Sequence, residues 1–238
     1  MSINNIVIRP LSWLKQWFVK KGRLPYRVPC GLFRDLRLHL DLRGETQIYL
    51  GFWERETYTY IRNAARRCEW VIDVGAGKGE LCLYFLKHSR AEPILAFEPQ
   101  SAETHLIRDN IALNGELSSH RVVVENKFVG TRVDPTYVSL DSLNLDMNKF
   151  GFIKIDVDGS EVDVLKSADD LFARGSVGLL LETHSKQLED ECVEWLRAKG
   201  YETSIIKNAW WRVILPEQRP TLHNRWLWAV RASAVRPA

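Results

Sequence analysis

The sequence predicts a doubly wound α/β domain, a mostly parallel sheet with helices on both faces, preceded by an N-terminal extension. Three observations predict it. From residue 69 onward, apolar runs of strand length alternate with stretches of helix length. Acidic residues and glycines follow the apolar runs, where strands hand over to helices. The last two strand-like runs, 202–206 and 226–230, have no long helix between them, so the final strand should run antiparallel as the arm of a closing hairpin. Such alternation implies a sheet buried on both faces.

Taken in order, residues 1–68 form the extension (basic helix, strand, helix) packing on the core, and residues 69–238 form the main domain. Residues 1–34 hold seven basic residues and no acid, and Pro10, Gly22, Pro25 and Pro29 punctuate them. Within LSWLKQWFVKK (11–21), Leu11, Leu14, Trp17 and Phe18 recur at helical spacing, with Lys15, Lys20 and Lys21 beside them. That face suits a lid over the domain, a dimer contact or a helix lying in a membrane interface. LRLHLDL (36–42) alternates as a half-buried strand or hairpin arm, and a helix is expected over 53–67 with Tyr60, Ile61 and Ala64 on one face. Buried parallel strands follow in WVIDV (70–74), PILAF (93–97), RVVVE (121–125), FIKID (152–156) and VGLLLE (177–182). Helices are expected near 78–89, 101–113, 160–173 and 186–199, then the strands ETSII (202–206) and WLWAV (226–230).

Composition narrows the function classes. Hydrophobic residues at 45% and charged residues at 26% describe an ordinary globular chain, and a net charge of +3 is too small to mark a nucleic-acid binder. No apolar run approaches the ~20 residues that span a bilayer, and Arg9 and Lys15 interrupt any signal-peptide core, so a cytoplasmic protein is expected. Cys30, Cys68, Cys82 and Cys192 are too far apart in sequence for a zinc motif and read as packing residues in a reducing compartment.

In an open α/β sheet, ligands bind outside the carboxyl ends of the strands, which directs attention to residues just after 74, 97, 125, 156 and 182. In VIDVGAGKGE (71–80), Gly75, Ala76, Gly77 and Gly79 form a G-x-G-x-G turn in which backbone can lie against a ligand. The spacing is not the G-x-G-x-x-G of dinucleotide sites. Asp73 beneath the loop would repel a pyrophosphate but tolerate the sulfonium and ammonium of S-adenosylmethionine. Glu98 ends the next strand 19 residues beyond Gly79, where nucleotide sites place an acid on ribose hydroxyls, and Asn126 stands on the same rim. A helix N-terminal acid is the plainer reading of Glu98. FIKIDVDGSEVDVLKSA (152–168) delivers Asp156 to the carboxyl edge with Asp158 and Glu161 close behind, although Asp158 or Ser160 could simply cap the helix. Glu182 and His184 leave the following strand, and a histidine there is a candidate general base.

Residues 71–230 resemble the FkbM-type family of class I S-adenosylmethionine-dependent methyltransferases. The resemblance rests on IDVGAGKGE, FEP, SLDSL (139–143), IKIDVDGSEVDVLKSA and LLLETH, in that order. The family more often has Glu where Asp158 stands and Asn at Gly77. It implies a Rossmann-like seven-stranded sheet with an antiparallel last strand, S-adenosyl-L-methionine as cofactor, and O-methylation, often of sugar hydroxyls on glycans, glycolipids or natural products.

Methyl transfer to a hydroxyl needs an in-line acceptor and a group that takes its proton. Asp156 or His184, with Glu182 beside them, are the candidates. Converging carboxylates also suit a divalent cation such as Mg²⁺, and the sequence leaves a metal and a bare base both open. Other classes fit less well. A nicotinamide oxidoreductase lacks its glycine spacing. A nucleobase N-methyltransferase lacks an N-P-P-Y-like run, the slot reading Asp156-Val157-Asp158-Gly159. An RNA ribose 2′-O-methyltransferase using Lys154 or Lys186 is the runner-up, followed by a non-catalytic cofactor-fold binding module. Trp210 and Trp211, leading to Trp226 and Trp228, are candidates for stacking on a sugar ring.

Overall fold

A computed structural model of the protein describes residues 21–209 and 223–231. The basic helix expected over 11–21 (all but its last residue), Trp210 and Trp211 lie outside the described residues. The described chain opens with β1 (Leu24–Arg27), β2 (Arg37–Leu40), α1 (Thr46–Tyr49) and a 3-10 turn (Arg55–Thr57) leading into α2 (Tyr58–Ala65). The alternating part runs β3 (Trp70–Val74), α3 (Glu80–His88), β4 (Ile94–Phe97), α4 (Ser101–Leu113) and β5 (Val122–Glu125). After a short pair, β6 (Phe128–Val129) and β7 (Tyr137–Val138), it resumes with β8 (Phe150–Ile155), α5 (Glu161–Lys166), α6 (Asp169–Arg174) and β9 (Ser176–Thr183). It closes with α7 (Lys186–Ala198), β10 (Tyr201–Ile206) and β11 (Arg225–Arg231).

Seven strands make the main sheet in the order β10-β11-β9-β8-β3-β4-β5. Strands β5, β4, β3, β8 and β9 pair in parallel, and β11 lies between β9 and β10, antiparallel to both. The expected mostly parallel sheet with an antiparallel last strand is what forms. From β3 the chain moves outward through β4 to β5, then returns to β8 on the other side. That reversal opens a crevice at the carboxyl ends of β3 and β8, where this fold class binds ligands. The pairing there is tight. The ring of Trp70 fills the space over Gly151, so only a glycine fits opposite it on β8, and its Nε1 donates to the Asp146 carbonyl at 3.1 Å.

Each face of the sheet has its own core. On one face Leu36, Leu38 and Leu40 of the extension pack with Leu83 and Phe85 of α3 and Ile107 of α4. On the other, Val164, Leu165, Phe172, Cys192 and Leu196 cover β8 and β9. Two asparagines one turn apart, Asn110 on α4 and Asn114 just past its end, hold the outer edge of β2. Asn114 accepts from the Arg37 amide (2.9 Å) and donates to the Arg37 carbonyl (2.8 Å). Asn110 accepts from the His39 amide (2.8 Å) and donates to the Lys78 carbonyl (2.8 Å).

LRLHLDL forms a hairpin arm, as expected, over Arg37–Leu40; its partner, LPYR, contains Pro25, and a proline on an outer strand loses no ladder bond, so it does not break the pair. Other expectations are corrected. The helix expected over 53–67 is ordered as a helix only from Tyr58, and its core face is Tyr58, Ile61, Ala64 and Ala65, with Tyr60 only half-buried. RVVVE is not a buried strand, because β5 is the sheet's edge and Val123 is 42% exposed. The helix expected over 160–173 is two helices. Ser167 bonds back to the Val164 carbonyl, and its own carbonyl is taken by Ser139 and the Asp141 amide. The Asp141 carboxylate then caps the second helix, accepting from the Asp170 and Leu171 amides at 3.0 and 2.9 Å.

Candidate active site

The glycine turn forms the floor of the crevice. Gly75, Gly77 and Gly79 all have positive φ (72°, 53° and 79°), which side chains resist. They differ in what surrounds them. A Cβ on Gly75 would overlap the Asp156 carbonyl oxygen, and one on Gly79 would sit 2.7 Å from Ile107 on α4. A Cβ on Gly77 would meet nothing within 4 Å. Two glycines therefore allow backbone to pack against protein, and the third leaves a cradle. The Gly75 and Ala76 amides donate to the Phe97 carbonyl at 2.9 and 3.1 Å.

Glu98 and Asn126 secure this turn from the neighbouring strand ends. Glu98 is buried, accepting from the Gly77 amide (3.0 Å) and the Gln100 amide (2.9 Å). Asn126 Nδ2 donates to the Glu98 and Pro99 carbonyls, both at 2.9 Å. Neither lines the cavity beside the loop.

A row of charge crosses the crevice. Lys154 Nζ donates to the Gly75 carbonyl at 2.9 Å and lies 3.2 Å from Asp156 and 3.5 Å from Asp73. Burial pushes the Asp73 carboxyl up to about 6, with Lys154 only partly opposing it. Burial works against the Lys154 charge, but Asp156 and Asp73 more than offset it and hold the ammonium protonated well above its usual range. Burial would raise Asp156, yet Lys154 and a hydrogen bond with Glu182 bring it below the ordinary carboxylate value. Lys154 is thus committed to two aspartates, and Lys186 to Glu189 and Asp190, so neither is placed as a free phosphate contact.

His184 completes the rim. Its Nδ1 lies 2.7 Å from Glu161 Oε1, which also accepts from the His184 amide at 3.2 Å. Nε2 faces Asp158 at 3.4 Å, and Asp156 and Glu182 each at 3.8 Å. Burial lowers the imidazole's proton affinity, but the Glu161 bond and the surrounding carboxylates raise it overall. The capping reading of 158–161 fails here: Ser160 makes no side-chain cap bond, Asp158 is exposed toward His184, and Glu161 is fully buried. Asp156, Glu182 and His184 each present a ligand atom within 4.8 Å of the others, a grouping able to hold a metal ion.

Beside the loop and Asp156 opens a pocket of roughly 700 Å³, counted out to its mouth. Its opposite wall comes from the extension (Leu32, Phe33, Trp53, Tyr58, Ile61), with Leu180 and Trp226 at the back. Sequence reasoning missed this wall, because nothing local in residues 32–61 signals a contact with a loop at 75–77. Glu80 was in plain view at the end of VIDVGAGKGE. Its Oε2 and the Trp226 Nε1 are buried in this lining without a hydrogen-bond partner among the described residues. An unmet acceptor and an unmet donor facing one cavity suit a polar, zwitterionic ligand.

Fold and crevice together define the class I methyltransferase architecture. Residues 115–203 match the model described as the Methyltransferase FkbM domain, a span that carries Asp156, Glu182 and His184. The same fold is found in methyltransferase FkbM from Methylobacillus flagellatus KT (16% identity, TM-score 0.55, covering 77% of this chain and 54% of that one). It recurs in an S-adenosylmethionine-dependent O-methyltransferase from Thermotoga maritima (11%, TM-score 0.53, 78% and 67%). A precorrin-6y C5,15-methyltransferase from Geobacter metallireducens GS-15 shares it as well (17%, TM-score 0.51, 76% and 89%). The chain thus spans about half the length of the Methylobacillus protein. No curated protein sequence matches the chain. No helix among the described residues is long and apolar enough to cross a membrane.

Proposed function

We propose that the chain is an O-methyltransferase that moves a methyl group from S-adenosylmethionine to a hydroxyl of a sugar, glycan, glycolipid or natural product. The observation that carries this reading is Asp156. Its carboxylate is kept ionised between Lys154 and His184 and lines the pocket whose floor is the glycine turn. The residues fit the cofactor: Gly77 leaves a cradle, Glu80 Oε2 is an unmet acceptor suited to an ammonium, and Glu98 and Asn126 stand at the adjoining strand ends. When bound, S-adenosylmethionine supplies an electrophilic methyl on a good leaving group.

The chain's own residues then have distinct tasks. Lys154 fixes Asp156 against the loop, so the carboxylate can accept the acceptor's proton without moving. His184, oriented by Glu161 and holding its proton to higher pH than usual, is better suited to steadying Asp156 than to serving as the base. Trp53, Tyr58 and Trp226 offer aromatic walls, and Trp226 Nε1 a donor, to an acceptor carrying a hydroxyl. Isothermal titration with S-adenosylmethionine and its demethylated product tests the cofactor; binding of NADH in their place would overturn it.

One grouping favours a second reading of the same rim. Asp156, Glu182 and His184 would hold a divalent cation, which would supply positive charge beside the acceptor oxygen. A mixed imidazole and carboxylate set suits Mn²⁺ or Fe²⁺ at least as well as Mg²⁺. Loss of turnover in EDTA with recovery on adding one of these ions selects this reading, and indifference to EDTA selects the bare carboxylate.

A further inference from the structure

A second cavity lies at the end of α3 away from the glycine loop, about 950 Å³ out to its mouth. With nine residues in α3, about 13 Å of helix separates the two ends. Arg34, Arg62, Arg66, Lys87 and His88 line it against one carboxylate, Asp35. Asp35 is itself engaged, 2.8 Å from Arg27 and 3.6 Å from Arg34. No carboxylate among the described residues lies within the 4.0 Å of an ion pair from Arg62, Arg66 or Lys87.

Helix ends account for part of this charge. Both α2 and α3 terminate here, and each C-terminus presents roughly half a negative charge. Set with Asp35 against the four permanent cations, they leave a surplus of about two positive charges. Two of the cations are held in place: Lys87 Nζ donates to the Arg34 carbonyl at 3.2 Å, and Arg62 lies over the Tyr58 ring. The His88 ring lies tilted against that of Tyr84, their centres 4.7 Å apart. Burial, with Lys87 and Arg62 nearby, holds the His88 imidazole below its usual range, as a positive field should.

We propose that this cleft binds a phosphate-bearing anion, whether a soluble phosphate ester or a phospholipid headgroup. Guanidinium forks and an ammonium around a concavity match the several oxygens of a phosphate better than the two of a carboxylate. The concave shape favours a compact group over the extended backbone of a nucleic acid. The cleft shares only Leu32 with the lining of the pocket beside the glycine turn, and the proposal does not rest on the methyl-transfer reading.

The test uses the full chain with two probes at low salt. Pyrophosphate is titrated calorimetrically, and flotation is measured with phosphatidylcholine vesicles with and without phosphatidylglycerol. Arg66→Glu and Lys87→Glu should each weaken binding by about tenfold or more, while Arg174→Glu, which makes the same change in net charge on α6, should not. Pyrophosphate binding that shows this pattern without flotation identifies a soluble ligand. Flotation that needs anionic lipid, shows the same pattern and is competed by pyrophosphate identifies a headgroup. Absence of saturable binding to either probe overturns the proposal, as does binding that all three variants change equally.

Discussion

Burying Asp73 beside one ammonium leaves its carboxyl at about 6, and the sign of that shift has a consequence for stability. Between pH 4 and 6 the folded chain keeps a proton that the unfolded chain has released. Stability from this group is therefore fully present below about 3.8 and is lost as pH rises through about 6. The rise from 3.8 to about 6 corresponds to roughly 3 kcal/mol. The isosteric Asp73→Asn should flatten that slope in a series of thermal melts and be at least as stable as wild type at pH 8. The same change should weaken S-adenosylmethionine binding, since the acid is lost from beneath the loop. Loss of stability at pH 8 would show that the pairing with Lys154 outweighs the cost of burial. Asp156→Asn separates chemistry from folding: loss of the charge beside Lys154 should lower the melting temperature while the melt stays cooperative, and turnover should fall about 10²- to 10⁴-fold. Wild-type turnover in that variant would remove Asp156 from the reaction.

Among the elements, the strand–turn–helix around the glycines makes the sharpest contrast. Gly75→Ala drives a methyl into the Asp156 carbonyl, so it should cost several kcal/mol and lower yield and melting temperature together. Gly77→Ala meets no protein atom and should cost only about 1–2 kcal/mol for its left-handed backbone, yet remove cofactor binding by filling the cradle. Calorimetry and thermal melts on both variants check this, and intact binding by Gly77→Ala would place the cofactor elsewhere. The turn was legible in the sequence because three closely spaced glycines and an acid are a local signal. The break at Ser167 was not, since it depends on Asp141 reaching across from a segment 26 residues earlier to cap α6. Periodicity records which side chains face the core, and carries no trace of a cap supplied from another part of the chain.

For the molecule as a whole, the mostly parallel sheet and its carboxyl rim followed from the alternation of strands and helices. Asp73, Asp156, Glu182 and His184 converge there. What the sequence hid was the far wall of the pocket, contributed by Phe33, Trp53 and Tyr58 of the N-terminal extension. The same segment places Leu36, Leu38 and Leu40 in the core against α3 and α4. Removing residues 1–68 should therefore give a chain that melts without cooperativity and binds a hydrophobic dye, with no measurable affinity for S-adenosylmethionine. A cooperative melt from that variant would show that the extension is dispensable to the fold.

The asparagine pair at the end of α4 bears on how the protein behaves at high concentration. An outer strand with bare amides and carbonyls is a template on which another chain can add its own strand, the first step toward aggregation. Asn110 and Asn114 occupy those positions on β2, so two side chains at the end of a helix stand in for a neighbouring strand and close the edge to strangers. Asn114→Leu would keep the bulk and leave the Arg37 amide and carbonyl unmet. Light scattering during mild heating should then rise well before the main unfolding transition, where the parent protein stays clear.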